Sequence, residues 1–247
     1  MAARAEDLFV GANIGNVPWE FQEASGDFAG FELDLVREIG TRLERPVQVV
    51  NIPFNGLFSA VQSGRIDIAL SSITITEKRL ASVAFTQPYY DSAQSLTVSS
   101  RSDVDSLTDM RGKIVGVDTG STGDIWTNSN QGRYGFGEIR RYEGLAPAML
   151  DLQTGRIDGY ISDIPSLEYY IKDKPWFRIV ERMETGERYS MMLAKGNSLV
   201  EDVDAVITDL KREGYVTSLH EKWFGTSPDA SSSTALVVPR PGAPPAP

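Results

Sequence analysis

A polar segment, residues 71–79, contains residue types that bind charged groups. Thr76 is a plausible helix N-cap, which puts Arg79 near the N-terminus of that helix. A guanidinium can hold a carboxylate by two parallel hydrogen bonds, and the free N–H groups of a helix start also favour an anion. The residue types therefore predict an anion site, with an exposed arginine on a first helical turn as the alternative.

Asp163 carries the opposite charge. Its carboxylate could accept hydrogen bonds from an ammonium group, although an Asp before Pro165 also fits a helix N-cap. The loop of residues 119–123 offers hydroxyls, amides and two glycines to an anion, but it lacks the Gly-Lys-Ser/Thr of a nucleotide-binding loop. An anion site at Arg79 and a cation site at Asp163 together describe a receptor for a zwitterion such as an α-amino acid.

One twelve-residue phrase occurs twice, at an offset of 91 residues. Residues 61–72 read VQSGRIDIALSS and residues 152–163 read LQTGRIDGYISD. Each copy predicts a helix end, a Gly at the helix C-cap and a short apolar strand. A single recurrence indicates two related lobes rather than a repeat array. Ser72 and Asp163 then lie just beyond equivalent strand ends, where open α/β sheets bind ligands.

The remaining hydrophobic pattern predicts strands that alternate with helices. Residues 8–12, 47–52 and 113–117 read as strands, residues 57–63 read as a helix, and apolar residues four apart at 31–43 mark one helix face. Such alternation implies mostly parallel sheet. The predicted fold class is therefore α/β, with two lobes that each hold a mostly parallel sheet flanked by helices.

The echo also places the lobe boundaries. Lobe 1 is predicted to comprise residues 6–96 and 192–225, and lobe 2 residues 97–191. Two β-prone runs, residues 94–99 and 189–193, are predicted to cross between the lobes. Two lobes joined by two strands form a hinged cleft that can close on a small ligand.

The two chain ends differ from the rest. Residues 226–247 are rich in Ser, Ala and Pro, which predicts a flexible tail. Ala3-Arg4-Ala5 fits the small-residue pattern before a signal-peptidase cut, so an exported protein whose signal peptide is absent is expected. An Ala-rich start without meaning is the alternative.

Composition excludes several classes of function. Lys and Arg number 24 against 34 Asp and Glu, a net charge of −10, which argues against nucleic-acid binding. No apolar run reaches about 18 residues, so no membrane span is expected. Cys is absent and His220 is the single His, which makes a metal site, a catalytic His relay or a cofactor unexpected.

Five motifs in order resemble those of one family. They are VPWEF (17–21), GFELDL (30–35), SITITEKR (72–79), FTQPYY (85–90) and KWFG (222–225). With them the sequence, from about Leu8 to Gly225, resembles the polar-amino-acid periplasmic binding proteins of ABC transporters. This is family 3 of the extracellular solute-binding proteins, the glutamine-, lysine-arginine-ornithine- or histidine-binding type. The resemblance implies a type II periplasmic binding protein fold, a periplasmic location and a permease as partner. A monomer is expected.

The resemblance also implies a role for each cleft residue. Arg79 would bind the ligand carboxylate, helped by the backbone of Thr74 and Thr122. Asp163 would bind the ammonium, helped by the carbonyl of Ser72 and the hydroxyl of Thr74. The other implied contacts are Phe54, stacked on the apolar stem of the ligand, and Asn13, Asn16, Trp19, Asp118 and Ser162 around its side chain.

Two positions depart from the family pattern. The first pocket position is often acidic in members that bind basic or amide side chains, and here it is Asn13. The position after a lobe 2 strand is Lys or apolar in relatives, and here it is Asp118, which would favour a hydrogen-bond donor or a positive charge and repel an acidic ligand. A loop Asp can also point to solvent. A neutral polar or basic amino acid is the expected ligand.

Two other functions fit the same fold family. Cyclohexadienyl and arogenate dehydratases use a cleft carboxyl as general acid, and Asp118 or Glu187 could serve. A soluble amino-acid sensor is the other alternative, with the tail as its distinctive feature. Because the full set of amino-acid receptor residues is retained, a binding protein without enzymatic activity is the main prediction.

Overall fold

The computed structural model describes residues 6–242, where strands and helices alternate as the hydrophobic pattern predicts. The strands are β1 (Leu8–Ala12), β2 (Phe21–Gln22), β3 (Phe28–Ala29), β4 (Val47–Asn51), β5 (Ile68–Leu70), β6 (Val83–Phe85), β7 (Tyr90–Ser99), β8 (Ile114–Asp118), β9 (Glu138–Tyr142), β10 (Gly159–Asp163), β11 (Phe177–Tyr189) and β12 (Met192–Ala194). The α-helices are α1 (Phe31–Arg42), α2 (Phe54–Gln62), α3 (Glu77–Leu80), α4 (Thr122–Tyr134), α5 (Leu145–Thr154), α6 (Ile164–Ile171), α7 (Leu199–Arg212) and α8 (Tyr215–Phe224).

Lobe 1 is built on a five-stranded sheet in the order β4-β1-β5-β12-β6. β1 pairs in parallel with β4 and β5, and β12 pairs antiparallel with β5 and β6. The apolar stripe of α1 explains its position, because Phe31, Leu35 and Ile39 are fully buried in one core with Val203 and Ile207 of α7. The residues that follow the C-terminal ends of β1 and β5 line the space between the lobes.

Lobe 2 repeats the arrangement with a five-stranded sheet in the order β11-β7-β10-β8-β9. β8 pairs in parallel with β9 and β10, and β7 pairs antiparallel with β10 and β11. Two apolar clusters, one centred on Val115 and Ile161 and the other on Met149 and Tyr160, fill this lobe. The two sheets confirm the predicted α/β fold class. The prediction of mostly parallel sheets is wrong, because each sheet has two parallel and two antiparallel pairings.

The chain crosses between the lobes at two adjacent places. Residues 86–89 join β6 to β7, and residues 190–191 join β11 to β12. The crossings are tied together, since Tyr89 N–H donates to Tyr189 O at 3.0 Å. Residues 94–99 were expected to form the first crossing, but they already pair with β10 and β11, so this crossing lies earlier in the chain.

The sequence echo corresponds to a repeated structural unit. In lobe 1, α2 ends before Gly64 at φ 73°, and β5 follows; in lobe 2, α5 ends at Gly155, also at φ 73°, and β10 follows. A positive φ at these positions favours glycine, which explains why both copies keep it. Ser72 follows the end of β5 and Asp163 ends β10, as predicted.

Residues 226–242, which were predicted to be a flexible tail, form hydrogen bonds with the rest of the protein, and we call them the C-terminal strap. Ser233 donates to the Asp91 carboxylate from its backbone N–H at 2.7 Å, and the hydroxyl of Thr234 donates to Tyr89 O at 3.0 Å. The ammonium of Lys211 donates to Leu236 O at 3.0 Å. Composition does not predict this packing, because it does not show which hydroxyls find partners elsewhere in the chain. Residues 1–5, with the Ala3-Arg4-Ala5 pattern, and residues 243–247 lie outside the described chain.

None of the helices in residues 6–242 is both long enough and apolar enough to cross a membrane.

Candidate ligand-binding cleft

The two lobes face each other across a cleft at the C-terminal ends of β1, β5, β8 and β10. The cleft contains about 490 Å³ of space, with its mouth to solvent included, a size that suits a small molecule. Ten of the eleven residues predicted for the site line it. They are Asn13, Asn16, Phe54, Ser72, Thr74, Arg79, Asp118, Thr122, Ser162 and Asp163, and Ser71, Ser121 and Leu145 line it as well.

Arg79 is positioned by the start of a short helix. The hydroxyl of Thr76 accepts a hydrogen bond from Arg79 N–H at 3.2 Å, which confirms the predicted N-cap. The guanidinium lies 5.5 Å from the ring centre of Phe54 and 5.1 Å from that of Phe58. These rings form an apolar wall that holds the cation by its face and leaves its edge for hydrogen bonds.

The guanidinium of Arg79 is buried, with the residue only 7% exposed, yet it forms no salt bridge with any Asp or Glu of residues 6–242. Its Nη1 donates to Thr74 O at 2.7 Å, and its Nη2 donates across the cleft to Gly120 O at 3.3 Å. Burial lowers the pKa of Arg79 to about 10, so the group stays charged at neutral pH. A buried cation bound only by carbonyls attracts an anion strongly.

The N-terminus of α4 approaches the same place from lobe 2. The hydroxyl of Ser121 caps the helix by accepting from Asp124 N–H at 3.0 Å, and Thr122 begins the first turn. At Gly123 a Cβ atom would lie 2.9 Å from the side-chain oxygen of Gln94 and 3.1 Å from Ile161 O, so glycine permits this close approach. The first-turn N–H groups add a partial positive charge beside the cleft.

Ser72 has an unusual backbone conformation that aims its polar groups. Its φ is 45°, in the left-handed region that residues other than Gly rarely adopt. Its N–H points at the carboxyl group of Glu32, at 2.9 and 3.0 Å from the two oxygens, and the hydroxyl of Tyr89 also donates to that carboxyl. Glu32 thus fixes the turn at Ser72 from behind the strand end.

Glu32 forms part of a buried carboxyl pair beneath the site. The partner, Glu20, accepts hydrogen bonds from Ser71 Oγ at 2.5 Å and from Asn16 Nδ2 at 3.1 Å. Burial raises the pKa of both carboxyls, and the charge of Glu32 raises that of Glu20 further. The pair therefore tends to retain a proton, and it connects to the cleft through Ser71 and Asn16.

Asp163 supplies the negative end of the cleft. Its Oδ1 accepts a hydrogen bond from Gln94 Nε2, and its Oδ2 lies 3.5 Å from Ser72 Oγ in the opposite lobe. Burial raises the pKa of Asp163, and the charge of Glu187 raises it further. An ammonium group here would relieve both effects, since an adjacent positive charge favours the ionised carboxyl.

Asp118 places a second carboxyl at the lobe 2 wall. Although the residue as a whole is partly buried, its Oδ1 is shielded from solvent and has no hydrogen-bond partner among residues 6–242. The buried hydroxyl of Tyr160 lies nearby and interacts with the Asp118 carboxyl, which acts to lower the pKa of Asp118. Burial raises the pKa of Asp118 to about 6. Asp118 therefore lines the cleft with one carboxyl oxygen shielded from solvent, and its carboxyl can accept a hydrogen bond from a ligand group.

Trp19 does not line the cleft, unlike the other predicted residues. Its indole is fully buried among aromatic rings, 5.5 Å from Phe31 and 5.3 Å from Tyr189 between ring centres. Its Nε1 donates to Ser166 Oγ of lobe 2 at 2.9 Å, and that hydroxyl lies 3.2 Å from the side-chain oxygen of Asn16. Trp19 therefore joins the lobes beside the cleft, because its ring fills the core next to the crossings.

Sequence reasoning missed other residues of the site. Ser71 and Ser121 precede the predicted residues Ser72 and Thr122, so their neighbours already indicated the right segments. Leu145 is the first residue of α5 and carried no chemical signal. The role of Glu32 was hidden because an acid in a first helical turn is explained by the helix dipole alone.

The family of the chain follows from a match to a protein-family model. Residues 8–226 match the model described as bacterial extracellular solute-binding proteins, family 3. The chain belongs to this family. The resemblance inferred from the five motifs is therefore confirmed, and so is the two-lobed periplasmic binding protein fold.

Individual relatives agree with this assignment. The histidine-binding periplasmic protein of Salmonella typhimurium (strain LT2) is 29% identical over 234 residues, which cover 90% of this chain and 89% of that protein. The L-cystine-binding protein TcyJ of Escherichia coli (strain K12) is 27% identical over 223 residues, 88% of this chain and 82% of that protein. These relatives are named as binding proteins.

Solved structures are similar over the same range. An ancestral arginine-binding protein bound to arginine superposes with a TM-score of 0.85 at 31% identity, covering 90% of this chain and all of that one. The arginine-, lysine-, histidine-binding protein ArtJ from Geobacillus stearothermophilus gives a TM-score of 0.84 at 28% identity, covering 91% of this chain and 97% of that one.

Proposed function

We propose that this protein captures an α-amino acid with a neutral polar or basic side chain between its lobes, in the periplasm, and delivers it to the permease of an ABC transporter. The observation that carries the proposal is the pair of opposite charges in one cleft. The Arg79 guanidinium is buried without a carboxylate partner among residues 6–242, and the Asp163 carboxyl faces the same space from the other lobe.

The two charges fit the two ends of a zwitterion. The carboxylate of the ligand would bind Arg79 and the first turn of α4 at Thr122, because a guanidinium and helix N–H groups both favour an anion. The ammonium would bind Asp163, the carbonyl of Ser72 and the hydroxyl of Thr74. Since these groups come from both lobes, binding favours the closed arrangement.

The side chain of the ligand would extend towards Asp118 and Asn13, with Phe54 against its apolar stem. The Asp118 carboxyl offers an acceptor to a donor on the ligand, and its charge opposes an acidic side chain. Relatives named as arginine-, lysine- and histidine-binding support the basic end of this range. The ancestral arginine-binding protein was also solved with glutamine bound, which supports the neutral polar end.

Delivery to a transporter requires the two lobes to close on the ligand. Contacts between the lobes already exist around the cleft, from Trp19 to Ser166 and from Arg79 to Gly120. A closed form that buries its ligand presents one surface shape to a permease, and an open form presents another. The family assignment supports the permease as the partner.

The test is a thermal-shift screen of refolded protein against the twenty amino acids, ornithine, citrulline and prephenate. A ligand at about 100 times its dissociation constant adds about 2.7 kcal/mol of stability, which is easily measured. We expect a shift with at least one neutral polar or basic amino acid, and none with aspartate or glutamate. Arg79→Met should abolish the shift, while Arg65→Met, which changes an exposed arginine of the same lobe, should preserve it.

Two outcomes would contradict the proposal. If no amino acid shifts the transition, the protein is not an amino-acid receptor of this kind. If prephenate alone shifts it and is converted to phenylpyruvate, the cleft serves an enzyme.

A further inference from the structure

We infer that Glu187 is a positioning residue for the ammonium group of the ligand: its carboxylate takes the hydroxyl hydrogen of Thr74, which leaves the lone pairs of that hydroxyl to face the ligand. The inference rests on the proposed function, because it assumes that the ligand carries an ammonium. It adds a residue that does not itself line the cleft.

Glu187 is buried at the end of the strand that returns from lobe 2. The residue is 6% exposed and lies two positions before the end of β11. The hydroxyl of Thr74 donates to its Oε2 at 2.9 Å. The side-chain amide of Gln94, on the other connecting strand, lies 3.0 and 3.1 Å from its two oxygens.

Counting donors and acceptors gives the direction of the bond. A carboxylate only accepts hydrogen bonds, and a threonine hydroxyl has one hydrogen and two lone pairs. The hydrogen between Thr74 and Glu187 must therefore come from Thr74. The remaining capacity of Thr74 is to accept, and an ammonium only donates. Since Thr74 lines the cleft, its polarity matches the ammonium end of an amino acid.

Glu187 also adds charge to the same place. The amide nitrogen of Gln94 donates to Asp163 Oδ1 while it contacts both oxygens of Glu187, so it joins the two carboxyls. An ammonium between Thr74 and Asp163 would be attracted by both. The attraction is strong because the surroundings are buried.

The charged and titratable groups around Asp163 come from several elements. Glu187 and Tyr189 face it from β11, Asp118 from β8, and Arg79 from α3. Of these, Glu187 has the largest effect, and it raises the pKa of Asp163. Removal of the Glu187 charge should therefore lower the pKa of Asp163, so that Asp163 stays ionised at lower pH.

A purely structural role for Glu187 is the competing explanation. It would hold Gln94 and the connecting strands together, and its loss would lower stability without a specific effect on the ammonium site. Stability alone does not distinguish the two roles, so the test uses coupling and pH dependence.

The first experiment is a double-mutant cycle by isothermal titration calorimetry, with L-arginine and L-glutamine as probes. We expect Glu187→Gln and Thr74→Val each to weaken binding of the bound probe by about tenfold, and the double variant to fall clearly short of the hundredfold product, because part of the Glu187 effect acts through Thr74. Losses that multiply to about a hundredfold would overturn the inference. Glu184→Gln removes an exposed carboxylate from the same strand and should leave binding unchanged.

The second experiment uses no ligand, and so it separates this inference from the proposed function. The Asp163 carboxyl is titrated by carboxyl-carbon NMR in the unaltered protein and in Glu187→Gln, with Asp163→Asn to assign the signal. A lower pKa of Asp163 in Glu187→Gln is expected, and probe binding should then persist to lower pH. An unchanged pKa of Asp163 would overturn the inference even if both amino acids bind. If neither amino acid binds while the pKa falls, the ligand class is wrong and the influence of Glu187 on the site stands.

Discussion

The two lobes share one backbone plan at the cleft. In lobe 1, the carboxylate of Asp67 accepts from Phe9 N–H at 2.8 Å; in lobe 2, that of Asp158 accepts from Ile114 N–H at 2.7 Å. Both Asp residues belong to the repeated phrase, and both hold a neighbouring parallel strand, β1 in lobe 1 and β8 in lobe 2, beside the repeated strand. The same hydrogen bond, from a strand N–H to an Asp carboxylate, therefore positions the corresponding strand ends in both lobes.

The lobes differ in where they place charge on this plan. In lobe 1, the strand end carries Ser72, and the carboxyl of Glu32 acts on its backbone from behind. In lobe 2, the strand end itself carries the carboxyl of Asp163, which faces the cleft. The comparison shows that the same backbone framework can present a carbonyl and a hydroxyl to the cleft from lobe 1 and a charged carboxylate from lobe 2. An amino acid with two unlike ends requires this asymmetry.

The largest effect is expected at the charged strand end. Asp163→Asn should weaken amino-acid binding by roughly 100-fold or more, because a buried ammonium would lose its paired charge. Isothermal titration calorimetry with L-arginine and L-glutamine measures it, and Asp173→Asn, at an exposed lobe 2 position, is the control. A loss below threefold would show that charge at the lobe 2 strand end does not hold the ligand.

The next effect tests whether Glu32 supports the ligand site of lobe 1 through the backbone of Ser72. Glu32→Gln should weaken binding by about tenfold, because an amide holds the N–H of Ser72 less well than two carboxyl oxygens do. Urea unfolding should show a loss of about 1–3 kcal/mol in the free energy of unfolding, since Tyr89 also loses a charged acceptor. Full affinity in a folded Glu32→Gln protein would mean that Ser72 needs no support.

Asp118 should oppose stability while it serves binding. Its pKa in the folded protein is about 6, against an ordinary 3.8, so between these values the folded state binds more protons and stability falls as pH rises. Asp118→Asn should therefore raise the free energy of unfolding at pH 7.5 by about 1–3 kcal/mol, with a smaller gain at pH 4.5. Urea unfolding at the two pH values checks this.

The same variant should bind a cationic amino acid more weakly than the unaltered protein does. Calorimetry with L-arginine measures that loss. An Asp118→Asn protein that is no more stable at pH 7.5 would show that the carboxyl is better solvated than its buried position indicates.

The smallest effect concerns the strap, which packs on α7 of lobe 1 and on the start of β7. Deletion of residues 226–247 removes Leu236 O from the three acceptors of Lys211, and it frees Asp91 from Ser233. We expect a loss of about 1–2 kcal/mol of stability and no change in affinity, because the strap does not line the cleft. A changed affinity would show that the strap also affects the connecting strands.

The sequence predicted the local elements of the molecule better than the long-range contacts that hold them in place. The echo, the strand ends and the capped Arg79 depend on local patterns, and the structure has them where the sequence indicated. Glu32 acts on Ser72 across 40 positions, and no local pattern reports such a contact. The contacts of the strap and of Trp19 were missed for a related reason, since their partners Asp91 and Ser166 are distant in sequence.

The contact between Trp19 and Ser166 gives the protein an intrinsic fluorescence signal for separation of the lobes. The indole is fully buried at the junction of the lobes, whereas Trp176 is already 43% exposed. Separation of the lobes would break the hydrogen bond of Trp19 and admit water to its ring. The emission of Trp19 should therefore move to longer wavelength as the lobes part. With Trp126, Trp176 and Trp223 replaced by Phe, opening can be followed in real time without an attached dye.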